Sequence, residues 1–209
     1  MTEQAWAWVA VIASGVLVCG YEMQLSRAGR RNPGATARSA HRVLRGAWVQ
    51  ALSNQPGTEL LAVQALRNSL MSATINASTA ALAFTGSISL IVSKGVRTRE
   101  LSPELALQLA LSATLFAAYV CSALAMRYYH HAGYAMSLPV HSPERRDRTQ
   151  LAALYVQSAG TLYSWSLRCF LFVAPMVAGL LHPLLTPLAA AGLVFVLALF
   201  DRVPAQRRG

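Results

Sequence analysis

Charged and amide side chains set inside apolar sequence are the residues best placed to do chemistry in this chain. Glu22 closes the apolar run that begins at Ala5, Arg168 stands within a run from Thr149 to Leu181, and Arg67 lies near the start of one from Thr58 to Ser93. A charge in hydrocarbon costs at least about 2.5 kcal/mol and is rarely left facing lipid. Arg168 is therefore expected to point inward toward a partner, and Glu22 is the natural one. Two chemistries fit the pair. One is a static ion pair, and the other is an anion or proton pathway through the same layer, tilted toward anions because Arg67 adds a second cation to one carboxylate.

Amides and hydroxyls recur at a similar depth. Counted from the helix ends at about 1.5 Å per residue, Arg168 lies roughly 20 Å in, and Glu22, Asn76 and Tyr119 roughly 25 Å in, within a hydrocarbon core of about 30 Å. At 100° per residue, Asn68, Ser72, Asn76, Thr79, Ala83 and Gly86 share a sector of about 80°. A second row, Ser69, Ala73, Ala77, Ala81, Thr85 and Ser89, repeats every fourth residue and is suited to close helix approach. Either row can pack a helix or line a solvated path. Gln108, Ser112, Tyr119 and Ser122 form a matching stripe on the next run, and Gln157, Thr161, Ser164 and Arg168 another, continued by Pro175. Three stripes predict a common interior.

Other chemistries lack their residues. Cys19, Cys121 and Cys169 each sit in apolar sequence with no C-x-x-C pair, which suits small buried side chains. The adjacent His130 and His131 point about 100° apart on a helix and cannot readily share a metal ion. With Tyr128, Tyr129 and Tyr134 they read as interfacial anchors. Asn76-Ala77-Ser78 matches a glycosylation acceptor inside a span, where context removes it. With no nucleophile-base-acid set, zinc spacing, phosphate-cradling loop or paired carboxylates, the sequence predicts neither an enzyme nor a cofactor or metal site.

The elements that must position these residues are membrane helices. Charged residues make up 12% of the 209 residues and mean hydropathy is +0.40, against about 25% charged in soluble domains. Five spans are predicted: 5–25, 58–93, 103 to about 136, 149–181 and 184–200. The middle three are each about 50 Å long, so they should protrude. Ser102-Pro103-Glu104 marks a helix start by cap, first-turn proline and favourable dipole charge. A four-span arrangement, with 182–200 re-entrant or interfacial, is the alternative. Residues 26–57 form a basic connector with turns at Asn32-Pro33-Gly34 and Gln55-Pro56-Gly57. Within it Ala40, Val43, Leu44, Ala47, Trp48, Ala51 and Leu52 describe an amphipathic helix over 38–52. It can lie at the membrane interface or pack on the protein's own cytosolic surface.

Charge orients the bundle. The 18 basic residues against 8 acidic ones give +10, which in a membrane protein speaks for cytoplasmic loops and anionic lipid headgroups rather than nucleic acid. With the N-terminus outside, Arg27, Arg30, Arg31, Arg38, Arg42, Arg45, Arg67, Arg127, Arg145, Arg146, Arg148, Arg202, Arg207 and Arg208 are cytoplasmic, leaving Lys94, Arg97 and Arg99 outside. N-out, C-in follows, with the surplus helix length and the basic tail at 202–209 on the cytoplasmic side. A bacterial inner membrane is the expected location.

Val63-Gln64-Ala65-Leu66-Arg67-Asn68-Ser69-Leu70-Met71-Ser72-Ala73-Thr74, with Arg42, Arg45 and Trp48 before it and Arg168, Pro175 and Pro183 after it, resembles a family of bacterial and plant membrane proteins known only as a domain of unknown function. Arg127-Tyr128-Tyr129-His130-His131 is similar to that family's segment after the third span. The likeness runs from Tyr21 to Pro183, and Glu22 departs from it where relatives tend to carry histidine. It implies a multi-span membrane fold and no established activity. It also puts Arg67, Asn68 and Arg168 within the family's motifs. The small faces of the second span predict a homo-oligomer through that helix. The expected function is an oligomeric channel or carrier for a small, preferably anionic ion, with Glu22, Arg67, Asn68, Ser72, Asn76, Thr79, Tyr119 and Arg168 as its polar layer. The alternative is a non-transporting scaffold docking a cytoplasmic partner or anionic lipid.

Overall fold

The computed structural model describes residues 3–32, 34, 36–93 and 101–202. Pro33, Lys94, Arg97, Arg99, Arg207 and Arg208, which entered the turn and charge arguments, lie outside the described residues. The chain is all-α: α1 Glu3–Arg31, α2 Ala37–Ser53, α3 Glu59–Ser93, α4 Pro103–Ser137, α5 Pro143–Leu181 and α6 Leu185–Phe200. Four of these (α1, α3, α4 and α5) are long and apolar enough to cross a membrane, and α6 is a shorter apolar helix. The predicted helices are present with shifted ends. The largest shifts are six residues each: α1 runs on to Arg31 into the predicted connector, and α5 starts six residues before Thr149, because Ser142-Pro143-Glu144 repeats the Ser102-Pro103-Glu104 signal. Ser102 Oγ accepts from Leu105 N at 3.2 Å and Ser142 Oγ accepts from Arg145 N at 3.1 Å.

The antiparallel pair α4–α5 is the axis of the molecule, and α3 lies along α4. Different helices flank the two ends of that axis. In the apolar half, built from the C-terminal parts of α3 and α5 and the N-terminal part of α4, α1 and α6 complete the bundle. In the basic half α2 replaces them, running antiparallel to α5, with Arg38 beside Trp165 and Gly46 against Gln157. Val49, Leu52, Leu66, Tyr129, Met136 and Val156 fill the core of this half among alanines of α3, α4 and α5. Arg145, 1% exposed, closes it by donating from Nη1 to the carbonyls of Ala135, Met136 and Leu138 at the end of α4, which satisfies helix-end acceptors.

Helix α2 forms as expected, and most of its predicted apolar row stays open to the surroundings. It does pack on the protein's own surface, but through Gly46, Val49, Leu52 and Ser53. That face is roughly opposite the predicted apolar row at 100° per residue. Val43 and Leu44 are 56% and 64% exposed, and Ala47 and Ala51 also face outward. Gly46 leaves room for the Gln157 amide, which a β-carbon there would push aside. Tyr129, expected as an interfacial anchor, is buried in this same core.

Candidate functional site

Two polar features compete for function, one buried and one exposed. The buried one lies where α1 and α6 end their contact with the bundle and α2 begins. Arg168 of α5 binds Glu22 of α1 through Nη1 and Asp201, the cap residue of α6, through Nη2. The other Glu22 oxygen accepts from Arg38 Nη2 at 3.0 Å, and the other Asp201 oxygen accepts from the Tyr21 hydroxyl at 2.8 Å. Arg38 also stacks over Trp165, 4.6 Å from the ring centroid. The Asp201 carbonyl accepts from Ala37 N at 3.1 Å, which ties α6 to the start of α2.

This joint follows from electrostatics. A carboxylate at a helix C-terminus opposes the dipole, so Asp201 needs a cation, and the planar fork of Arg168 can serve two carboxylates at once. Two guanidiniums and two carboxylates balance, and all four carboxylate oxygens are engaged. The arrangement holds α1, α2, α5 and α6 together and leaves no spare charge to attract an ion. Sequence reasoning found Glu22 and Arg168 but missed Arg38, Asp201 and Tyr21. The available signal was an acid at the end of an apolar helix facing a buried arginine.

The exposed feature is the α3 row. Arg67, Asn68, Ser72 and Thr79 lie on the outer surface, and Asn76 is partly buried with its Nδ2 unpartnered. Ser72 and Thr79 bond back to the carbonyls of Asn68 and Ile75 at 3.2 and 2.9 Å, which satisfies each hydroxyl within its own helix. Ala73 and Ala77 of the second row are buried against the rest of the protomer. The row repeating every fourth residue thus serves packing inside the chain over that stretch.

The predicted common interior divides in two. The height estimate agrees with the structure: Ser166, two residues before Arg168, bonds Ser122 at 2.6 Å, and Ala80, Ala118 and Cys169 pack together at this level. Direction is what differs. Tyr119 is 40% exposed and Thr79 is exposed on the surface of α3, while Asn76 is partly buried and bonds no member of the joint among the described residues. Gln108, Ser112 and Ser122 are buried, with Ser112 bonded to Ser87 of α3 at 2.9 Å. The stripe of α4 is therefore shared between neighbours on both sides, not gathered around one interior.

Beside the joint, in the apolar half, a cavity of about 480 Å³ lies between α1, α4, α5 and α6. Glu22 and Trp165 stand at one end and Thr186 at the other, with mostly apolar walls between. Contact between α1 and α4 is slight.

The family described as "Protein of unknown function, DUF599" matches residues 9–205, and the chain belongs to it. Neither the curated proteins nor the solved structures give a match.

Proposed function

We propose that this member of the family is a homo-oligomeric membrane protein that passes a small ion, preferably an anion, along the outward face of α3. The apolar half spans a cytoplasmic membrane, that of a bacterium, in five crossings with the N-terminus outside. The basic half stands in the cytoplasm. The observation that carries this reading is the placement of Thr79 on the outside of the protomer at the level of the Ala80–Ala118–Cys169 cluster of the apolar half, with Ser72, Asn68 and Arg67 continuing its row along the basic half. Polar rows on a membrane helix face protein or water rather than lipid, and a second copy of α3 supplies either. Arg67, with no ion pair among the described residues, stands at the cytoplasmic mouth of that row. Exposed Arg27, Arg30, Arg31 and Arg42 meet anionic lipid headgroups at the same surface.

Of the two roles the sequence offers the Glu22–Arg168 pair, the joint takes the static one. Glu22 and Arg168 hold the helices, while the α3 face carries the ion.

A test places Thr79→Cys and, separately, Leu188→Cys in a chain whose three native cysteines are replaced by serine. Oxidation should cross-link Thr79→Cys into a covalent pair and leave Leu188→Cys, on the exposed side of α6, monomeric. Monomeric protein at both positions, with no flux of chloride or small cations from liposomes, would overturn the reading. Those results would favour a scaffold. A separate observation supports that second reading: α2 turns Val43, Leu44, Ala47 and Ala51 outward, a surface able to dock a partner.

A further inference from the structure

We propose that Arg45, with Tyr129 near it and Ser69 and Tyr163 near Tyr129, forms a binding site for a small oxyanion of the phosphate type in the basic half. Helices α2, α3, α4 and α5 each contribute one of these residues. The half-buried guanidinium of Arg45 lies flat on the backbone of Gly160, where a β-carbon would overlap Nη1, Cζ and Nε together. Contact of all three atoms with one point places the glycine against the face of the fork. The N–H groups, which lie in the plane, are left at its edge. Tyr129 is buried in the core of this half with Tyr163 packed against that core, and Arg45 and Ser69 lie near enough to the Tyr129 hydroxyl to act on it.

The missing component is negative charge. Arg45 has no hydrogen bond or ion pair among the described residues. Glu22 and Asp201 are fully engaged by Arg38, Arg168 and Tyr21. Asp147, the nearest acid on α5, is about 20 Å from Gly160 along the helix. Burial lowers the pKa of Arg45, opposed only by Tyr129, yet a guanidinium keeps its proton in proteins. Half-burying a cation with no counter-charge carries a cost, and its unpaired N–H groups stay within reach of a ligand.

The orientation of α2 makes that cost more telling. The helix turns Arg45 inward and Val43 and Leu44 outward, against its own hydrophobic pattern. Places where local rules fail in this way are the expected positions of functional sites. An oxyanion fits better than a halide because the fork offers parallel donors for two oxygens. The same chemistry could come from free phosphate or from a phospholipid headgroup. Binding here is independent of whether an ion crosses the membrane.

The test is equilibrium dialysis of radiolabelled inorganic phosphate against the full chain in detergent at fixed ionic strength. Wild type should bind saturably, with sulfate competing and chloride not. Arg45→Gln should lose binding, and Arg45→Lys, which keeps charge without the fork, should bind at least tenfold more weakly. Tyr129→Phe should bind more weakly without disturbing the fork. Repeating the dialysis in phosphatidylcholine nanodiscs with and without phosphatidylglycerol separates the sources, since displacement only by the anionic lipid identifies a headgroup and unchanged binding identifies free phosphate. Absence of saturable binding to wild type overturns the proposal whatever the variants do. So does equal competition by chloride, or unchanged binding by both Arg45 variants.

Discussion

The two halves of the α4–α5 axis are held by different forces. In the basic half α2 and the first part of α3 close a core of Val49, Leu52, Leu66, Met136 and Val156. In the apolar half the buried side chains are scattered, with Ala80, Ala118 and Cys169 in one small cluster and Ile91, Leu105, Leu107, Leu115 and Leu197 apart from it. There the helices are joined by serine pairs and by the Arg38–Glu22–Arg168–Asp201–Tyr21 joint. Burying apolar area drives association in water, whereas lipid is as apolar as a leucine side chain and gives helices no such reason to associate. Close packing of small residues and specific polar contacts take over. The same pair of helices therefore obeys two rules along its length, and the change occurs at the joint.

Arg168 is where the difference between the halves should show most strongly. Arg168→Ala leaves Asp201 with only Tyr21 and Glu22 with only Arg38, and should cost about 3–5 kcal/mol. Thermal unfolding in detergent would measure it, and a loss below about 1 kcal/mol would mean the joint is incidental. In the basic half, Met136→Ala removes a fully buried side chain and should cost about 2–4 kcal/mol in the same assay. A smaller effect belongs to Ser122→Ala, which breaks a buried bond to Ser166. Polar contacts between membrane helices average about 0.6 kcal/mol, so a larger loss would mean that serine carries more than a pairwise contact. Smallest is Leu188→Ala on α6, 71% exposed, expected to stay within about 0.5 kcal/mol. If Leu188→Ala instead matched Met136→Ala, the apolar half would be packing by the water rule and the contrast would fail.

The sequence makes the helices and their depths legible, because unbroken apolar runs and serine-proline-glutamate starts are local signals. Arg168 was legible for a related reason, since the cost of a charge in hydrocarbon demands a partner, and Glu22 was the carboxylate at matching depth. Asp201 and Arg38 were not legible. Both stand at helix ends, and which neighbour a helix end meets depends on angles that only tertiary packing sets. Periodicity likewise showed that Asn68, Ser72 and Thr79 share a face of α3 but not what that face looks at. On α2 the helix and its apolar row were legible, but not the face that packs on the bundle, which is centred on Gly46 and Val49 nearly opposite that row.

The central claim is that the joint holds the bundle while the α3 face carries an ion, and Arg67 separates these roles because it is exposed and takes no part in the joint. The direct measurement is chloride and potassium flux from liposomes containing wild type or Arg67→Glu, with thermal unfolding of both. The account predicts chloride flux in wild type, a shift of selectivity toward potassium in Arg67→Glu, and unfolding temperatures that agree closely. Wild-type liposomes that pass neither ion, or a selectivity indifferent to the reversed charge, would contradict it.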